Sequence, residues 1–191
     1  ISHPEIYELD ELTNHIEKEA FEGNTFFYIH SMLPHAPYRY NADCSRHSRK
    51  IILSDIKSTK TEYLEQYKCA ILQIQDLVKK INYIDEDAFI IISSDTGSFV
   101  GFDNLNPDIT KISRKKQKQI SSTFLAIKKP NYCNYEFETP NVTSNIFRYI
   151  FSCLDNKIYP DDVKKVSLVG YTDWPNFNKI KNLDIDDFNL D

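Results

Sequence analysis

The sequence predicts an α/β fold, a mostly parallel sheet covered by helices on both faces, and three observations carry that expectation. A long helical period over residues 63–81 separates two apolar runs of strand type, at 25–29 and 88–92. A third such run, at 122–127, follows a polar stretch, and a second helical stripe begins at Ile146. Strands alternating with helices are the pattern of crossover connections, which join parallel strands.

Each element rests on local chemistry. Leu9, Leu12, Ile16 and Ala20 recur at helical spacing, predicting a short amphipathic helix that Gly23 and Asn24 end. Thr25, Phe26, Phe27, Tyr28 and Ile29 form a β-branched and aromatic run, expected as a buried strand. It ends in His30 and enters a segment with Pro34 and Pro37, two prolines that exclude regular structure and predict a stiff, extended loop. Residues 41–58 are polar and read as a surface excursion.

Thr59 with Glu62 has the form of a capping box. After it Tyr63, Tyr67, Ala70, Ile71, Ile74, Leu77, Val78 and Ile81 keep helical period until Asp85, Glu86 and Asp87 break it. Ala88 to Ile92 are apolar at every position, the pattern of a central strand in a covered sheet. That strand leads into Ser93, Ser94, Asp95, Thr96, Gly97 and Ser98. Residues 139–144 read as a helix start, with Ile146, Phe147, Ile150, Phe151 and Leu154 as its inner stripe. Residues 166–169 predict a last short strand, and 180–191 an acidic tail.

The length of 191 residues fits a single domain over 1–191, or the C-terminal part of one, with enough chain to bury a core. Hydrophobic residues at 41% and charged residues at 27% describe a globular chain. Its 23 basic and 28 acidic residues leave a formal charge of −5, which argues against nucleic acid as a partner. No apolar run reaches the roughly 18–20 residues of a transmembrane segment. The first residue is Ile1, without an initiator Met or a signal pattern, and predicts a piece of something longer.

Cys44, Cys69, Cys133 and Cys153 show no zinc spacing and leave two readings open, two disulfides or four buried thiols. Glycine occurs only 4 times, so Gly97, Gly101 and Gly170 are expected where the backbone needs them. For Gly97 and Gly101 the need is either a tight turn or close approach to a ligand.

In parallel α/β sheets ligands gather beyond the carboxyl ends of the strands. The segments 30–38 and 94–98 are expected to share that rim. His30 and His35 are candidate ligands, for a metal when neutral or for a sulfate or phosphate oxygen when protonated; each also has a purely structural reading. Asp95 is either a hard ligand for a divalent cation or a turn cap. Lys111, Arg114, Lys115, Lys116 and Lys118 form a basic run, read as a solvated loop before an anion-collecting one. Asn141-Val142-Thr143 matches a glycosylation triplet that is frequent by chance.

Ile29-His30-Ser31-Met32-Leu33-Pro34-His35-Ala36-Pro37-Tyr38, with Asn41-Ala42-Asp43 after it, resembles the H-x-x-x-P-H-x-P-[FY]…[FD]-x-A-D-G stretch of sulfatase-like hydrolases in the alkaline phosphatase superfamily. Ile90-Ile91-Ile92-Ser93-Ser94-Asp95-Thr96-Gly97 is similar to that family's I-I-x-S-D-H-G. Residues 124–130 resemble its strand ending in proline, and 140–148 its S-P-V-N-x-F-R helix start. The motifs are short, but their order runs through most of 25–155.

The resemblance implies an alkaline-phosphatase-like fold, here an incomplete domain, in a metal-dependent enzyme hydrolysing or transferring sulfate or phosphate esters. It implies that Asp95, with Thr96 as a weak neighbour, binds a divalent cation (Mn, Ca, Mg or Zn), and that His35 contacts the metal or the sulfate or phosphate oxygens, with His30 beside it as a substrate-binding candidate. No catalytic nucleophile matches within the chain, so the resemblance places it upstream of Ile1. An extracytoplasmic or membrane-associated location follows from the same likeness, as does self-association or pairing with a missing N-terminal half.

Two departures stand out. Thr96 occupies the position of the family's metal-binding histidine, and Cys44 a position that is often glycine. They keep a second expectation open, a catalytically inactive sulfatase-like relative serving as a binding or scaffold module. An unrelated α/β domain with similar loops is the third.

Overall fold

In the computed structural model the described residues are 25–47, 56–102, 111–133, 145–159, 165–169 and 180–184. The expected helix over 9–20, the glycosylation triplet, Gly170 and the end of the acidic tail lie outside them. The chain divides into two units, Ile1–Ala88 and Phe89–Asp191.

The first unit is organised by helix α1, Ile56–Ile84, which contains no glycine or proline over its 29 residues. It begins three residues before Thr59, so that residue lies inside the first turn rather than capping it. The Asp85 N–H closes the last turn on the Ile81 carbonyl at 2.8 Å. An Asp85 carboxylate oxygen then accepts from the Asp87 N–H at 2.9 Å, an Asx turn that ends the helix. Gln66, Cys69 and Ala70, spaced at three and four residues, are its buried positions.

Against this face lies a small hairpin. The His47 N–H donates to the Arg39 carbonyl at 2.8 Å, and the Asn41 N–H to that of Ser45 at 2.8 Å. Its turn runs from Asn41 to Cys44, with Cys44 left-handed at φ 65. A disulfide joins Cys44 to Cys69 of α1, Cα atoms 4.9 Å apart. Tyr38 and Tyr40 are buried, and Tyr38 meets the Tyr63 ring edge-on at 5.9 Å.

In the second unit β1, Ile90–Ser93, pairs antiparallel with β2, Leu125–Lys128, in the register Ile90 to Lys128 through Ser93 to Leu125. Between them runs α2, Arg114–Ser121, capped by Ser113, whose hydroxyl accepts from the Lys116 N–H at 3.4 Å. After β2 the chain turns at buried Pro130, and a disulfide ties Cys133 to Cys153 of α3, Ile146–Asp155. Helix α3 ends at Asn156 in the left-handed conformation that asparagine tolerates. A second antiparallel pair, β3 (Lys165–Val169) with β4 (Ile180–Asp184), completes the described elements.

This architecture corrects the expected mostly parallel sheet with helices on both faces. Both described ladders are two-stranded and antiparallel. The reason lies in the connection: Phe124 returns to Ser94, whose N–H donates to the Phe124 carbonyl at 3.0 Å. The chain therefore re-enters beside the strand end it left, which fixes an antiparallel return. Alternation of strands and helices favours a parallel crossover but does not fix one, and here the return contact decides.

Residues 25–29 form no strand. Phe26 and Tyr28 are exposed, and the run joins no ladder among the described residues. Strand propensity describes fit to a paired, half-buried surface rather than a preference of the isolated backbone. The basic run, expected in a loop, lies largely in α2, whose buried residues are Gln117 and Ile120.

The predicted stripe of α3 is rotated. Ile146, Ser152 and Cys153 face inward, whereas Phe147, Phe151 and Leu154 are exposed. The Cys133–Cys153 bond and the Ser152 hydroxyl, which accepts from the Tyr159 N–H at 2.9 Å, turn that face inward.

Candidate functional site

The candidate histidines belong to the first unit, and Asp95 and Thr96 to the second. The carboxyl rim of a parallel sheet, where both loops were expected, does not exist among the described residues. The 30–38 segment follows no strand, and β1 runs antiparallel to its partner.

His30 is exposed at the end of the extended run. His35 is also exposed, but its backbone is held from several directions. The His35 N–H donates to the Met32 carbonyl at 2.6 Å, a turn spanning the cis Leu33–Pro34 bond. Its carbonyl accepts from the Gln66 amide nitrogen at 2.8 Å, and the other end of that amide accepts from the Arg39 N–H at 2.6 Å. Gln66 has no exposed surface. The imidazole Nδ1 donates to the Ala36 carbonyl at 2.6 Å. With Nδ1–H engaged, Nε2 is the nitrogen directed to other chemistry: lone pair when neutral, N–H donor when protonated.

Two neighbours titrate away from their ordinary values. Burial, then the proximity of Tyr63 and Glu62, pushes the Tyr38 hydroxyl up. The Ser45 hydroxyl and N–H, at 2.6 and 3.0 Å, hold the Asp43 carboxyl below the usual carboxylate range.

The Asp95 tip is pinned on both sides. Ser94 exchanges two bonds with Phe124: its N–H donates to the Phe124 carbonyl, and its hydroxyl accepts the Phe124 N–H at 2.7 Å. The Gly97 N–H donates to the Ile120 carbonyl at 2.9 Å. Asp95 and Thr96 are exposed between these anchors.

A side chain at Gly97 would collide with the backbone of α2's end, meeting Gln119 O and, at 2.8 Å, Ser122 O. The close approach is thus to the chain's own helix end. At Gly101 the need is a turn: φ is +81, and the Phe102 N–H returns to the Phe99 carbonyl at 3.2 Å. Gln119 braces the same loop, donating to the Ser98 and Val100 carbonyls at 2.9 and 2.8 Å. The Lys116 ammonium stands 4.7 Å from the centre of the Phe102 ring.

Asp95 and Thr96 offer one carboxylate and one hydroxyl. Among the described residues no group of three or more His, Cys, Asp or Glu is placed to hold a metal. Their three side-chain oxygens are fewer than the six or more ligands that Mg²⁺ or Ca²⁺ takes, so a resident cation would need further ligands from elsewhere.

No family model, curated protein or solved structure matches the chain. Among the described residues no helix is long and apolar enough to cross a membrane.

Gln66 and Gln119 were not singled out by the sequence. Gln66 carried a signal: it lies three residues after Tyr63 and four before Ala70, a polar residue inside an apolar stripe. Gln119, in a uniformly polar stretch, carried none.

Proposed function

We propose that the chain is part of a sulfatase-like protein of the alkaline phosphatase superfamily that binds sulfate or phosphate esters through His35. The observation that carries this reading is an exposed imidazole on a clamped backbone, its Nδ1–H committed to the Ala36 carbonyl. Protonated, its Nε2–H donates to an anionic oxygen, a charge-assisted bond. The left-handed backbone of Cys44 supports the same resemblance, since that position is glycine in the motif and glycine adopts this conformation freely.

Asp95 supplies one hard ligand toward a divalent cation, and further ligands are needed to complete its shell. Two disulfides support an oxidising, extracytoplasmic compartment. A second reading, a binding module without turnover, is favoured by Thr96, which stands where the motif has a metal-binding histidine.

Binding of inorganic sulfate and phosphate, followed by calorimetry on the wild type, His35→Ala and His30→Ala, tests the proposal. Loss of one charge-assisted bond lowers affinity about 10- to 100-fold in His35→Ala. Equal affinity for wild type and His35→Ala refutes it. Turnover of an aryl sulfate or phosphodiester by the wild type, lost in Asp95→Ala, favours the enzyme; binding without turnover favours the module.

A further inference from the structure

Resting on the anion-binding reading of His35, we propose that Gln66 is its positioning residue: one buried amide holds both ends of the 35–39 backbone and so sets where the imidazole stands. A buried amide is costly unless its donors and acceptors are satisfied, and an apolar residue at this stripe position would carry no such demand. Both ends of Gln66 are directed out of its own helix, to residues 31 and 27 positions away.

The loop has reason to need this. Pro34 and Pro37 remove two backbone donors, and the His35 N–H is already used in the Met32 turn. The His35 carbonyl belongs to the residue whose ring meets the ligand, so releasing that carbonyl frees the ring's base. The Cys44–Cys69 bond, three residues further along α1, holds the hairpin independently. Variants at Gln66 therefore keep the segment tethered while loosening its approach to His35.

The test uses the full oxidised chain as Gln66→Leu, Gln66→Glu, His35→Ala and the Gln66→Leu/His35→Ala double variant, with melting midpoints alongside. Amide exchange at Arg39 and affinity for inorganic sulfate are the readouts. Gln66→Leu is expected to speed Arg39 exchange on the order of tenfold to a hundredfold and to weaken sulfate binding. The double variant is expected to bind sulfate no worse than His35→Ala alone, because Gln66 acts through His35.

Gln66→Glu adds a signature that bulk destabilisation lacks. A neutral carboxyl has both an acceptor and a donor for this clamp, whereas a carboxylate has no donor for the His35 carbonyl. Relative to wild type, its sulfate affinity is therefore retained at low pH and lost as pH rises. Unchanged Arg39 exchange in Gln66→Leu, or additive losses in the double variant, overturns the proposal. Unchanged sulfate affinity in His35→Ala sinks the anion reading instead; Arg39 exchange alone then decides whether Gln66 sets the loop.

Discussion

Replacing Gly97 by alanine separates two reasons for a glycine in one loop. A Cβ at Gly97 meets Gln119 O inside contact distance, Ser122 O at 2.8 Å and Ile120 C at 3.0 Å, all backbone atoms of one helix end. None can rotate away, so the tip must retreat and stretch the Gly97 N–H bond to the Ile120 carbonyl. Overpacking costs about 1–3 kcal/mol and a lost buried hydrogen bond about 1 kcal/mol, together about 2–4 kcal/mol.

Gly101 is the internal control. A Cβ there meets nothing within 4 Å, but its φ of +81 strains an alanine by about 1 kcal/mol. Urea unfolding followed by circular dichroism should rank Gly97→Ala well below Gly101→Ala in midpoint at equal slope. A Gly97→Ala midpoint at or above that of Gly101→Ala would refute the packing account of the Asp95 tip.

Cys44, Cys69 and Tyr38 of the first unit lend themselves to the same measurement. Breaking Cys44–Cys69, which closes a separation of 25 residues, is expected to cost about 3 kcal/mol, read as a shift of the urea midpoint. Cys44→Gly should lose about 1 kcal/mol less than Cys44→Ala, because the left-handed φ of 65 suits glycine; equal losses would contradict that conformation. Tyr38 has its folded-state pKa raised by burial, so its contribution is complete below the ordinary tyrosine pKa and is lost as pH rises through the folded value. Tyr38→Phe should flatten the alkaline limb of stability above about pH 10, and an unchanged limb would exclude Tyr38 as its source.

Legibility followed range. The period from Tyr63 to Ile81 is local, and α1 covers it from Ile56 to Ile84. The prolines at 34 and 37 exclude regular structure by their own geometry, and residues 31–39 have none. Asp95 was legible as a displayed carboxylate because it follows an apolar strand directly. Strand direction was not, since it depends on the Ser94–Phe124 contact, made across thirty positions. Nor was the face of α3: apolar spacing alone favours Phe147, Phe151 and Leu154, and the bond from Cys133 turns Cys153 inward instead.

By itself the sequence determined the long helical period of α1, the irregular segment around Pro34 and Pro37, and that four cysteines were available to pair. Those properties arise from spacing, branching and ring closure within a few residues. Tertiary structure alone decided which cysteines pair, which way strands run, and that a glutamine on α1 holds the backbone of His35. Each of these depends on groups twenty or more residues apart, and their meeting is a property of the folded chain.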